Sequence, residues 1–196
     1  AEEMKVLGEA LERAKDGRGE VIGVVADPGV GKSRLCHEFA ERCRASGIDI
    51  YEAQAQAHGE AVPFLPVLQM LRGYFGIEDE DSERVAREKI AGRLLLLDPD
   101  FSDDLPLIFD FLAVPDPERP APQVSAEARE RLLRGVIRRL YRVPGRTEVV
   151  VNVIEDLHWM DPGSEAFLAE MVSAVEGTAT LAVVNFRPEY EADWAD

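Results

Sequence analysis

Two stretches of this chain carry residues whose types and spacing could do chemistry. The first runs Ala26, Asp27, Pro28, Gly29, Val30, Gly31, Lys32, Ser33, Arg34. Gly29 and Gly31 let the backbone turn sharply, so that successive N–H groups point inward and can cradle a phosphate. Lys32 can reach the outer phosphates, and the Ser33 hydroxyl can ligate Mg²⁺. The second stretch is Glu155-Asp156, two carboxylates that follow the apolar run Val149 to Ile154. In a metal-nucleotide site one carboxylate holds Mg²⁺ and the next orients the attacking water. Adjacent strand residues point to opposite faces, so the two are not interchangeable. By position, Glu155 is assigned to the metal and Asp156 to the water.

Each stretch needs elements to hold it. Val21 to Val25 reads as a buried strand, and a helix opens at Lys32-Ser33 with its positive end at the loop. This strand–loop–helix context is what a phosphate-binding loop requires. The pattern G-x-x-x-x-G-K-[ST] has Ala26 at its first position here. Alanine costs little there if its backbone is extended and more if φ is positive, so a functional but weakened loop is expected.

The rest of the chain alternates helix and strand, which predicts an α/β fold with a parallel sheet. Met4, Leu7, Ala10, Leu11 and Ala14 are spaced for a first helix, Leu35, Cys36, Phe39, Ala40 and Cys43 for a second. Ile48 to Ala55 reads as the second strand, and Pro63 to Phe75 as a helix with Phe64 turned inward. Residues 76–125 break the rhythm. Ser82 to Leu97, Leu105 to Leu112 and the proline-rich Pro115 to Pro122 read as a helical insertion between the second and third strands. The run Leu94 to Leu97 is read as core. Ser125 to Val143 is an amphipathic helix capped by Ser125, and its arginines read as a solvated face that offsets carboxylates. Pro144-Gly145 turns the chain into the third strand, Glu148 to Ile154. Asn152 is an amide in that otherwise apolar strand, and if buried it needs a partner. Pro162 to Val175 is the last helix and Thr178 to Phe186 the fourth strand. The residues beyond read as a fraying tail.

Composition narrows the function. A chain of 196 residues with 46% hydrophobic content can bury one full core. Its 38 acidic and 22 basic residues leave a net charge of −16, which repels phosphate backbones and argues against direct nucleic-acid binding. A local nest of N–H groups with one lysine can still hold phosphates. No apolar run has membrane-spanning length and no signal peptide opens the chain. Cys36 and Cys43, on one helix, suit small apolar side chains in a reducing cytoplasm. His37 and His58 read as surface residues; His158 could sense the metal site but reads first as a hydrogen-bonding residue, and Trp159 as a packing one. No histidine–cysteine–carboxylate cluster has zinc spacing.

Three motifs in order carry a resemblance: Ala26 to Leu35, Glu155-Asp-Leu-His-Trp-Met-Asp-Pro162 and Asn185-Phe-Arg-Pro-Glu-Tyr190. They resemble bacterial STAND-type P-loop ATPase domains, a branch related to AAA+ proteins that sits in large regulators beside class III cyclase, helix-turn-helix or TPR domains. The resemblance covers nearly the whole chain. It implies a three-layer fold with strand order 2-3-4-1, ATP and Mg²⁺ as ligands, and Arg187 as the sensor-1 arginine near the γ-phosphate. Asn185 is left as a strand-end residue or an added polar contact. The resemblance further implies that the chain is truncated at both ends, lacking a Gly-Arg-Glu element, a fifth strand and a lid, so that the first strand is an exposed edge. Three functions follow as expectations. One is a signalling ATPase whose slow Mg-dependent hydrolysis resets a switch. Another is a nucleotide-binding module with negligible hydrolysis. The last is a protein-interaction module. Partners would be ATP or ADP, neighbouring domains of a larger regulator, and further copies through nucleotide-dependent self-association.

Overall fold

A computed structural model describes residues 2–56, 63–143, 148–191 and 194. His58 and the Pro144-Gly145 turn lie outside them. The elements run α1 (Glu2–Lys15), β1 (Glu20–Val25), α2 (Lys32–Ala45), β2 (Asp49–Gln54), α3 (Leu65–Phe75), α4 (Glu83–Leu97), α5 (Leu105–Phe111), α6 (Ala126–Tyr141), β3 (Val150–Glu155), α7 (Pro162–Val175) and β4 (Thr180–Phe186). They form two compact units, residues 1–70 with 144–196 and residues 71–143.

The first unit is an α/β layer structure on a four-stranded parallel sheet of order β1-β4-β3-β2. This is the order expected from the resemblance. Parallel strands covered on both faces need apolar residues throughout. Val150 to Ile154 of β3 and Thr180 to Asn185 of β4 are accordingly all buried. One face is covered by α1 and α2, whose Leu7, Ala10, Leu11, Cys36, Phe39 and Cys43 pack with Val151, Val153, Leu181 and Val183. Asn152, 1% exposed, turns its amide Nδ2 to the Met171 sulfur of α7 at 3.9 Å. The sulfur is a weak acceptor for one of the N–H groups of this buried amide.

Several local expectations change. β1 is not a buried strand. It lies at the sheet edge, as the resemblance implied; every residue is at least partly exposed, and Val25 is 49% exposed. α3 begins at Leu65, because Phe64 has φ +64°, a backbone that leaves the helix and strains a bulky residue. The ring of Phe64 meets Phe167 edge-on at 5.7 Å. It fills the space beside Gly163, where a Cβ would come within 2.3 Å of it. Past β4 the chain is anchored rather than fraying at Tyr190. Its hydroxyl donates to Glu165 Oε1 at 3.0 Å, and its ring packs on Phe186.

The second unit is helical. Ser82 and Ser125 cap α4 and α6 by accepting hydrogen bonds from Val85 and Ala128. A 3-10 turn over Pro99–Asp103, not expected from the sequence, places Phe101 fully inside. The leucine run divides: Leu94 is fully buried, whereas Leu96 is 90% exposed. The arginines of α6 do offset carboxylates. Arg139 pairs with Asp104 at 2.7 Å and lies over the Phe101 ring, and Arg129 pairs with Asp110. Among the described residues no helix is long and apolar enough to cross a membrane.

Candidate functional site

Strand order and register bring the two chemical stretches to one end of the sheet. β4 lies between β1 and β3, with Asn185 level with Val24 and Val184 level with Ile154. The loop after β1 and the carboxylates at the end of β3 therefore leave the sheet on the same side. They are separated by two strand spacings, about 10 Å.

The loop is built from backbone. Gly29 has φ +82° and Gly31 φ +99°, conformations that L side chains rarely adopt. Gly31 opens α2 without any side-chain cap, whereas Ser82, Ser125 and Asp161 cap α4, α6 and α7. The first N–H groups of α2 thus lack side-chain acceptors, which is the electrostatic setting that favours an anion. Lys32 Nζ donates to the carbonyls of Ala26 at 2.6 Å and Asp27 at 3.0 Å, so the ammonium is held over its own loop. Ala26 is not among the residues with positive φ, so alanine at that position carries no backbone strain. Asp27, Pro28, Val30 and Ser33 are exposed along the loop. Arg34 is also exposed, and its guanidinium pairs with Glu38 at 2.9 Å on the surface of α2.

The carboxylate side is built from side chains of distant segments. Asn185 is completely buried at the end of β4. Its Nδ2 donates to Glu155 Oε2 at 2.9 Å, and its Oδ1 accepts from the Asp156 N–H at 2.8 Å. The same Nδ2 lies 3.6 Å from the Cys36 sulfur of α2. Asn185 is therefore the joint that ties both carboxylate residues to the helix behind the loop. An ordinary strand-end asparagine would not be buried with both ends of its amide engaged. The signal was present in the sequence, since a polar residue closing an apolar strand needs partners, but the partners could not be read from it.

Asp156 leaves the strand with φ +60°, a left-handed backbone that costs a non-glycine residue about 1–3 kcal/mol and clusters at functional sites. Its Oδ2 accepts from Gln54 Nε2, at the end of β2, at 3.0 Å. Sequence reasoning missed Gln54, which had only the alternation of a strand to mark it. Arg187 stands just past β4. Its guanidinium lies 5.5 Å from the Trp159 ring centroid, with Glu189 3.8 Å away. His158 packs on Trp159, and both of its ring nitrogens are covered and lack a hydrogen-bond partner among the described residues, so it is not the hydrogen-bonding residue expected from the sequence. Burial first, then the nearby Arg187 charge, push its pKa below the ordinary histidine value.

Among the described residues no group of three or more His, Cys, Asp or Glu side chains could hold a metal ion. Such a cage is not what Mg²⁺ requires. It binds through one or two carboxylates and substrate phosphates and keeps several waters. A hydroxyl at Ser33 and hard oxygens at Glu155 and Asp156 fit that donor set, and the open left-handed loop fits a phosphate chain.

Comparison with known proteins agrees with this arrangement. The family described as the AAA ATPase domain matches residues 1–184. An uncharacterized protein of Rhizobium meliloti (strain 1021) is 30% identical over 199 residues, which cover 99% of this chain. The chain spans 19% of that relative's length. With a phosphate-binding loop, a strand-end carboxylate pair and the β1-β4-β3-β2 sheet in place, the chain belongs to the AAA ATPase domain family.

Proposed function

We propose that this chain is the ATP-binding regulatory domain of a larger signalling protein, with slow Mg-dependent hydrolysis that resets a conformational switch. The single observation that carries the reading is Asn185. It couples Glu155 and Asp156 to each other and, through Cys36, to the helix that opens at Lys32. In this reading the N–H groups of residues 26–34 cradle the phosphates and Lys32 neutralises their charge. Ser33, Glu155 and Asp156 would hold Mg²⁺, which when bound supplies charge neutralisation on the β- and γ-oxygens. Asp156 orients the water that attacks the terminal phosphorus as the bond to the ADP oxygen breaks. Arg187 leaves Trp159 for the terminal phosphate, a role suited to a fixed cation with several donors.

The family match and the place of this chain as one part of a longer relative support a module within a multidomain protein. A STAND-type regulator with cyclase, DNA-binding or TPR neighbours, and a helical insertion at 76–125, extends that reading. The choice of adenine over guanine comes from the family alone.

A second reading has its own observation. Gln54 engages the Asp156 carboxylate, and Arg187 is occupied by Trp159 and Glu189. A domain arrested in this state binds nucleotide and hydrolyses it negligibly. Calorimetry with ATP and ADP, with and without Mg²⁺, tests binding. Phosphate release by wild type against Lys32→Ala and Asp156→Asn tests hydrolysis. Equal release from all three removes hydrolysis and leaves the binding module, and no heat with either nucleotide removes both.

A further inference from the structure

The turn after β3 holds a polar side chain for which the reading above has no use. His158 is only half-buried as a residue, yet both of its ring nitrogens are covered by protein atoms and neither has a partner among the described residues. A covered polar atom left unpaired is unfavourable, so an apolar ring would suit this setting better than imidazole unless another state satisfies it. The position of the ring points to that state. It lies in the short 3-10 turn Leu157–Trp159, which opens from the left-handed backbone of Asp156. Its centroid is 5.1 Å from that of Trp159, whose ring in turn carries Arg187 at 5.5 Å. The charged groups acting on it are Arg187, Asp156, Glu189 and Lys32. Three of these four are the groups assigned above to the terminal phosphate and its attacking water. The backbone strain at Asp156 and the unpaired imidazole occupy the same turn, so one rearrangement of residues 156–159 can relieve both.

We propose that His158 is a specificity residue of this site, whose imidazole donates a hydrogen bond to the terminal phosphoryl group of a bound nucleoside triphosphate and finds no such acceptor on a diphosphate. This rests on the nucleotide reading of the site. The turn then rearranges with the triphosphate alone, and Trp159, 40% exposed, moves with it and reports the nucleotide state at the surface.

The test uses the whole chain with Trp194→Phe as background, which leaves Trp159 the single tryptophan of the 2 present. Wild-type His158, His158→Phe and His158→Gln are compared by calorimetry with a non-hydrolysable ATP analogue and with ADP, both with Mg²⁺, and by Trp159 emission. His158→Phe weakens the analogue about tenfold, the size of one hydrogen bond to a charged group, and leaves ADP within about twofold. His158→Gln, which keeps a donor of similar reach, recovers most of the lost affinity. Trp159 emission shifts with the analogue and not with ADP, and His158→Phe abolishes the shift. If Phe is not accommodated, His158→Ala supplies the same affinity ratio. Equal weakening of both nucleotides, or an unchanged ratio, overturns the proposal and assigns His158 to packing, with the nucleotide reading intact. Wild type binding neither nucleotide overturns the nucleotide reading and this proposal with it.

Discussion

The loop at residues 26–33 and the cluster around Asn185 form opposite ends of one candidate site and are built in opposite ways. In the loop the working groups are backbone N–H and one ammonium, and the ties are local. Lys32 bonds to carbonyls five and six residues away. In the cluster the working groups are side chains, and the bonds join residues 29, 30, 102 and 149 positions apart. The loop is largely exposed, whereas the cluster is anchored on a fully buried amide. The contrast teaches a division of labour. Changes in the loop should alter ligand affinity with little effect on folding, and changes in the cluster should alter folding and chemistry together.

Substitutions can break or sharpen that contrast. The largest effect is expected for Lys32→Ala. Loss of a charge-assisted contact to phosphate should weaken ATP on the order of 100-fold by calorimetry. The melting temperature of the protein without nucleotide should stay within about 2 °C, because only two local bonds to loop carbonyls are removed, one part-buried and one exposed. A drop of many degrees would abolish the distinction between the two regions. Asn185→Leu should behave in the opposite way. It leaves the Asp156 N–H and a Glu155 oxygen without a partner, at about 2–3 kcal/mol. For a chain of this size that lowers the melting temperature by about 4–12 °C.

A smaller effect concerns the helix behind the loop. Burial pushes the Cys43 thiol up to about 11 from 9.0, and Cys36 is raised in the same direction. The folded chain therefore holds a proton that the unfolded chain has released between those two values. Stability is full below about pH 9 and falls as pH rises towards 11, by about 1 kcal/mol once solvent screening is included. Urea titrations across that range should show the slope, and Cys43→Ala should remove most of it. The smallest effects are expected at Ala26 and Gln54. Ala26→Gly should change ATP affinity by less than about twofold, since no positive φ is there to relieve. Gln54→Ala should shift unfolding free energy by no more than about 0.5 kcal/mol, as its bond to Asp156 is exposed.

Much of the molecule was legible beforehand for reasons that are local. Helix faces follow from 3.6-residue spacing, so Leu7, Ala10, Leu11 and Ala14 were found buried where their intervals put them. Caps follow from residue type, as at Ser82 and Ser125. Other features were invisible because they depend on what the chain meets elsewhere. The left-handed turns at Phe64 and Asp156 override propensity, and Leu96 lies outside the core while Leu94 lies within it.

The amino-acid sequence by itself determined the phosphate-binding loop, because two glycines, a lysine and a helix start specify its geometry within eight residues. It also determined the α/β class and, through the family resemblance, the strand order. Only the tertiary structure decided who completes the carboxylate side. Gln54, Asn185 and His158 acquire their roles from the alignment of three strand ends, and hydrogen bonds between segments up to 149 residues apart leave no periodic trace in a single chain.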